Sequence, residues 1–265
     1  MTYQRIACLS TEAVETLYAL GAEDAIAGIS GFTTRPARAR REKPKISGFS
    51  SSRIERILAV KPDLVIGFSN LQADICRDLA AAGVEVHLFN QRDVAGILRM
   101  IETLAALVNR QEAGQRLIAG LQAQLDAART HAAQWTIRPK VYFEEWNDPL
   151  ISGIGWVSEL IRIAGGDDVF AELAGHGSAK ERIIADPMEV VRRAPDIVIG
   201  SWCGKKFQPD TLRARPGWDA IPAVQSGMVA EIKSADILSP GPSAITEGLR
   251  QMTALIARWQ ERNNA

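Results

Sequence analysis

No apolar run in this chain approaches the ~20 residues needed to span a bilayer as a helix. No excess of either charge exists: 31 Lys and Arg face 31 Asp and Glu. A surface built for nucleic acid or anionic lipid would show a basic surplus, so neither is expected as a partner. The cluster Arg38-Ala39-Arg40-Arg41-Glu42-Lys43 reads as a solvated loop. Cysteine is scarce. Three residues cannot all pair, and Cys8 and Cys76 sit in apolar patterns expected of buried thiols, so no disulfide framework is present. Histidine is equally scarce. His87, His131 and His176 are scattered without metal-site spacing, and only His176, between two glycines, is placed to act as an axial ligand. Neither a GxGxxG nor a P-loop spacing occurs. The first strand begins almost at Met1, leaving no room for a signal peptide. As it stands the chain is expected in the cytoplasm, and a leader ahead of Met1 would move it to the periplasm.

What the chain does have is a repeat. Ile54-Glu55-Arg56-Ile57-Leu58-Ala59-Val60-Lys61-Pro62-Asp63-Leu64-Val65-Ile66-Gly67 returns as Pro187-Met188-Glu189-Val190-Val191-Arg192-Arg193-Ala194-Pro195-Asp196-Ile197-Val198-Ile199-Gly200. Each copy reads as a short amphipathic helix, a break that proline enforces, and a strand apolar on both faces. Ser52-x-x-Glu55 reads as a capping box for the first copy, and Asp186-Pro187 as the helix start of the second. Strands at Ile6–Leu9, Ile26–Ile29, 64–66 and Val84–Phe89 alternate with helices near 11–20 and 73–82, which predicts a parallel sheet. Residues 30–48 read as a long loop. A second series has strands at Lys140–Phe143, Ile197–Ile199 and Val229–Ile232, with helices at 156–164 and 243–259. Between the series, apolar spacing at Leu117, Ile118, Leu121, Leu125 and Ala128 marks a helix of about 22 residues, roughly 33 Å long.

The expected architecture is therefore α/β: two similar lobes with mainly parallel sheets, at 1–109 and 135–265, joined by a long helix at 110–134. A ligand cleft is expected between the lobes. In open α/β sheets ligands bind beyond the carboxyl ends of the strands. Phe68 and Trp202 follow the duplicated strands closely and would offer flat apolar walls to a planar ligand. Trp146 and Trp156 flank Ser152-Gly153-Ile154-Gly155, chain that can approach a ligand closely. Glu144 and Glu145 point to opposite faces and are not expected to share a proton, though one could meet a ligand amide. Cys203 lies beside Lys205 and Lys206, cations of a kind that lower a thiol pKa.

The paired Glu-x-Ile/Val and Pro-Asp-Leu/Ile-Val-Ile patterns, joined by a long helix, resemble the ABC-transporter substrate-binding proteins with a helical backbone. That family takes up vitamin B12, siderophores and haem. Ile6 to Glu12 and Leu20-Gly21-Ala22 are similar to its first strand and helix. Glu145-Trp146-x-Asp148-Pro149, Gly155-Trp156, Glu159-Leu160, Ala164-Gly165-Gly166, Cys203-Gly204 and Pro240-Gly241-Pro242 resemble its cobalamin-binding branch. The resemblance implies a non-enzymatic, monomeric protein without an intrinsic cofactor. Its ligand would be a corrinoid such as cobalamin, or a related metal chelate, and its partner an ABC transporter permease. The site residues implied are Phe32, Arg35, Phe68, Glu145, Trp146, Trp156, Trp202 and Cys203. Two departures stand out. Lys205-Lys206 occupies the second-lobe region where the family docks with an acidic residue, the first-lobe region offering Asp74, and Gly31-Phe32-Thr33-Thr34-Arg35-Pro36 replaces a His-Glu-Cys-Asp-like run. The alternatives are a siderophore or haem carrier on the same fold, with Arg35 and Arg92 as cations, and a cytoplasmic corrinoid carrier or enzyme centred on Cys203.

Overall fold

The computed structural model describes residues 2–48 and 51–263. The chain divides into two compact units. Unit 1 comprises 1–91 and 95–121, and unit 2 comprises 92–94 and 122–265. Both take part of one 22-residue helix, Gln111–Ala132, whose residues up to Leu121 fall in unit 1.

Unit 1 carries strands β1 (Ile6–Cys8), β2 (Ile26–Ser30), β3 (Lys45–Ser47), β4 (Leu64–Phe68) and β5 (Val86–Phe89). They are all parallel, in the order β3-β2-β1-β4-β5. Every residue of β1 and β4 is buried, as a central parallel strand covered on both faces requires. Ala7, Leu9, Ile46, Ile57, Val65 and Leu79 form one continuous core. The segment 30–48, expected to be loop throughout, contains a short helix, Ala39–Glu42, and the edge strand β3. Only Ile46 of the three residues in β3 is apolar, so no alternation announced it.

Unit 2 carries β6 (Lys140–Asn147), β7 (Leu150–Ser152), β8 (Asp167–Asp168), β9 (Ile197–Gly200) and β10 (Val229–Glu231). The order is β10-β9-β6-β7, with β8 also on β6. Only β7 runs antiparallel, hairpinned back on β6 with a register shift between Glu144 and Trp146. The chain thus folds as α/β with mainly parallel sheets in both units.

The repeat is realised residue by residue. Its helices are Ile54–Leu58 and Met188–Arg193, anchored by Ile57 and Val190, each 0% exposed. Lys61 and Ala194 stand immediately before their prolines, and both adopt a left-handed backbone with φ of 47°. The following aspartates clasp the entry of the neighbouring central strand. Asp63 Oδ atoms accept from Gln4 N and Arg5 N at 2.7 and 3.0 Å, while Asp63 N donates to Arg5 O. Asp196 Oδ2 accepts from Lys140 N at 2.8 Å, and Asp196 N donates to Lys140 O. Pro-Asp therefore ends the helix and pins the next strand to its neighbour.

The helix starts differ from expectation. The cap of Ile54–Leu58 is Arg53, without a side-chain bond, and the Ser52 hydroxyl has no partner, so the capping box does not form. Asp186 stands one residue ahead of the cap of its helix, Pro187, and serves the first turn, Oδ1 accepting from Met188 N at 3.0 Å. Among the described residues no helix is long and apolar enough to cross a membrane.

Candidate ligand-binding site

The carboxyl end of β6 in unit 2 concentrates charge and aromatic surface. Strand alternation sends Glu144 and Glu145 to opposite faces. Glu144 is fully buried and takes four donors. Arg215 engages it with both terminal nitrogens at 2.6 and 2.9 Å, Trp202 Nε1 donates at 2.9 Å, and Tyr142 Oη at 3.1 Å. Glu145 takes a second two-pronged arginine, Arg182, at 2.7 and 3.0 Å. Arg182 is itself 2% exposed and also donates to the Ser152 carbonyl. Such paired geometry matches guanidinium to carboxylate and neutralises both acids where they sit.

The loop after β9 is tied to this end. Ser201 N donates to Glu144 O and Cys203 N to Glu145 O. Trp202 is 3% exposed, packed edge-on against Phe207 at 5.0 Å, with its indole N–H spent on Glu144. It is a core residue of unit 2 with its polar atom satisfied. Trp156 is likewise 3% exposed, its Nε1 donating to Ile237 O at 2.8 Å. Trp146 alone of the three stays partly open, its Nε1 bonded to Asp148 O. The glycine-rich turn has an internal reason. A Cβ on Gly155 would stand 2.3 Å from the Arg92 carbonyl oxygen, so close backbone packing requires glycine there. Beside the strand end lies a cavity of about 520 Å³, lined by residues including Asn147, Pro149, Met188, Arg215 and Trp218.

Cys203 is exposed, yet its thiol is pushed up, first by desolvation and then by the Glu145 carboxylate. The expected lowering by Lys205 and Lys206 is therefore corrected: the nearest charge that matters is negative. The His176 side chain is about half exposed and lies 3.8 Å from Glu181. Among the described residues no group of three or more His, Cys, Asp or Glu could hold a metal ion.

In unit 1, Phe32 is 60% exposed just past β2, and Arg35 is partly exposed in the same turn. Arg40 holds that turn by donating to the Gly31 and Thr33 carbonyls, both at 2.8 Å. Phe68 is 7% exposed, and its N–H donates to Gln72 Oε1. Leu71, 63% exposed just past β4, was missed by the sequence reading. Its signal was an apolar residue in the turn after a strand, outside any helical stripe. Glu12, at the start of Thr11–Ala19, is 3% exposed. Burial pushes its carboxyl up to about 7, against hydrogen bonding by backbone, Ser10 and Thr11.

The structure thus brings Glu145, Trp146, Trp202 and Cys203 together in unit 2, and sets Trp156 apart on Ile237. Residues 6–235 match the family described as periplasmic binding protein. The chain belongs to the periplasmic binding protein family. It is 29% identical over 203 residues to a vitamin B12-binding protein of Vibrio campbellii, covering 75% of this chain and 70% of that one. Its fold is similar to that of the periplasmic vitamin B12 binding protein BtuF of Vibrio cholerae, with a TM-score of 0.79, 22% identity, and 97% and 98% of the two chains covered. It is similar as well to the periplasmic heme-binding protein RhuT from Roseiflexus sp. RS-1, with a TM-score of 0.78, 24% identity, and 97% and 100% covered. At these identities the two solved structures speak to the fold. Family members of this kind are substrate-binding proteins.

Proposed function

We propose that this periplasmic binding protein is a non-enzymatic carrier for a corrinoid or a related metal chelate. It would take its ligand at the carboxyl end of β6 in unit 2, through Trp146, with Glu145 and the loop at Trp202-Cys203 shaping the surroundings; Phe32, Arg35 and Leu71 stand just past the strand ends of unit 1 and are the candidates there. The observation that carries the reading is the unit 2 strand end: a partly open indole beside two carboxylates that are each paired to an arginine. Such a surface binds by stacking and apolar burial, with few polar contacts. Desolvation and the Glu145 carboxylate push the Cys203 thiol up, against a thiolate there. The Vibrio campbellii relative favours a corrinoid. Periplasmic action and delivery to an ABC permease follow from the same reading. Asp74, the acidic candidate for docking, is exposed and paired to Arg77 at 2.6 Å.

Cyanocobalamin is expected to quench tryptophan emission with a saturable isotherm, and Trp146→Ala to weaken binding roughly tenfold, about the worth of one stacked ring. Absence of both quench and calorimetric heat across micromolar concentrations would reject corrinoids. Haem is the second reading, favoured by the fold it shares with RhuT. The tyrosines give haem iron little: Tyr142 is buried on Glu144, Tyr18 bonds Glu42 and Tyr3 bonds Glu85. His176 is then the axial candidate, and a Soret shift lost in His176→Ala would mark it.

A further inference from the structure

Lys205 sits where the sequence Trp202-Cys203-Gly204-Lys205 makes a tight turn. Lys205 N donates to Trp202 O at 3.3 Å, and Gly204 takes φ of 76° at the third position, as turns of this shape require. The turn folds the lysine stem back over the indoles. Its Nζ lies 4.1 Å from the centre of the Trp146 ring and 5.0 Å from that of Trp202. Two ring faces hold the ammonium by cation–π attraction and strip water from one side of it.

The neighbouring acids do not neutralise it. Glu144 is taken by Arg215, and Glu145 by Arg182. Among the described residues no carboxylate stands within ion-pair distance of Lys205, and the residue is exposed. Glu144 and Glu145 are each matched by an arginine, so Lys205 is a pinned cation without an ion-pair partner of its own among the described residues. Lys206 adds a second charge beside it.

We propose that Lys205 is an oxyanion-binding residue, placed to take a carboxylate or phosphate oxygen of the ligand whose ring system lies against Trp146. An ammonium has three donors, and no oxygen of the described residues accepts one in an ion pair here, so those turned away from the two indole faces remain for an acidic group. The proposal narrows the ligand to chelates that carry an acid. It rests on the chelate reading for the ligand's identity, and on the geometry of unit 2 for the oxyanion preference.

The test titrates wild type, Lys205→Met and Lys205→Arg with two pairs of chelates, following tryptophan emission. Hemin and its dimethyl ester differ only in free carboxylates, and cyanocobalamin carries a phosphodiester that dicyanocobinamide lacks. For whichever acid-bearing member binds wild type, Lys205→Met is expected to weaken it roughly tenfold or more. The ester or cobinamide should change by less than about twofold, and Lys205→Arg should stay within about threefold, because it keeps charge and ring contact. Equal weakening of both members of a pair by Lys205→Met, or of neither, overturns the inference. A wild type that binds no chelate sinks the chelate reading, and inorganic phosphate then decides the lysine. A saturable emission change that chloride at matched ionic strength does not cause, and that Lys205→Met abolishes, supports it. The same response in both proteins, or none in either, overturns it.

Discussion

The two copies of helix, Pro-Asp and strand are alike up to their glycines and part company beyond them. In unit 1 the chain after Gly67 is held by a neutral amide. Gln72 Oε1 accepts from Phe68 N at 2.9 Å, and its Nε2 donates to Leu9 O at 3.3 Å. In unit 2 the chain after Gly200 is held by an ion pair, with Trp202 and Arg215 both on Glu144. Each unit also buries a glutamate near the end of its first strand, and their company differs. Glu144 has Arg215, whereas burial leaves the Glu12 carboxyl pushed up to about 7. The difference teaches that the repeated part is scaffold, fixed by helix anchoring and strand clasping. The chemistry was written separately onto each tip.

The sharpest way to break the comparison is to remove each tether. Glu144→Ala leaves the largely buried Arg215 without its anion, and should cost about 3–5 kcal/mol in urea unfolding. Gln72→Ala loses two neutral hydrogen bonds and should cost about 1–2 kcal/mol. Equal costs would mean that both tips are held by packing alone. The glycines come next. A Cβ on Gly200 would lie 2.1 Å from the Phe207 ring, against 2.9 Å from Gln72 Oε1 and 3.0 Å from Leu88 for Gly67. Gly200→Ala is therefore expected to destabilise by about 3 kcal/mol, and Gly67→Ala by about 1 kcal/mol, on the scale of core overpacking. A reversed order in thermal melting would show that the ring yields more readily than the amide.

The smallest effect sharpens the contrast of the two buried acids. The Glu12 pKa in the folded chain is raised from the ordinary 4.5 to about 7. Its contribution to stability is therefore fully present below about pH 4.5 and lost as pH rises through about 7. Glu12→Gln should flatten the pH dependence of the urea midpoint between pH 5 and 8, and gain about 2 kcal/mol on wild type at the upper end. A mutant with the wild-type slope would place that titration elsewhere.

The scaffold was readable because its signals are local. The proline break, the aspartate after it, and a β-branched run all lie within fourteen positions. The tips were less readable because their partners are distant. Arg215 is 71 residues from Glu144, and Arg182 is 37 from Glu145, separations that no periodicity reports. Trp202 illustrates the same limit from another side. An indole after a strand serves equally well as an open wall or as a core residue, and only its bond to Glu144 and its 3% exposure decide. Strand β7 escaped for a simpler reason: three residues beside two glycines read as a turn.

Unit 2 counts Arg92–Val94 among its own residues, although unit 1 surrounds that tripeptide in the chain. Val94 N donates to Glu159 Oε2 at 2.8 Å, and the Arg92 carbonyl is the wall against Gly155. Synthesis therefore delivers a piece of the second unit long before the rest of it exists, and three residues wait for the segment that will close on them. No single cut in the gene would separate the units cleanly. A fragment starting at Gln122 would begin mid-helix, with the Glu159 carboxylate missing the Val94 amide, and a fragment ending at Leu121 would carry that amide without its carboxylate.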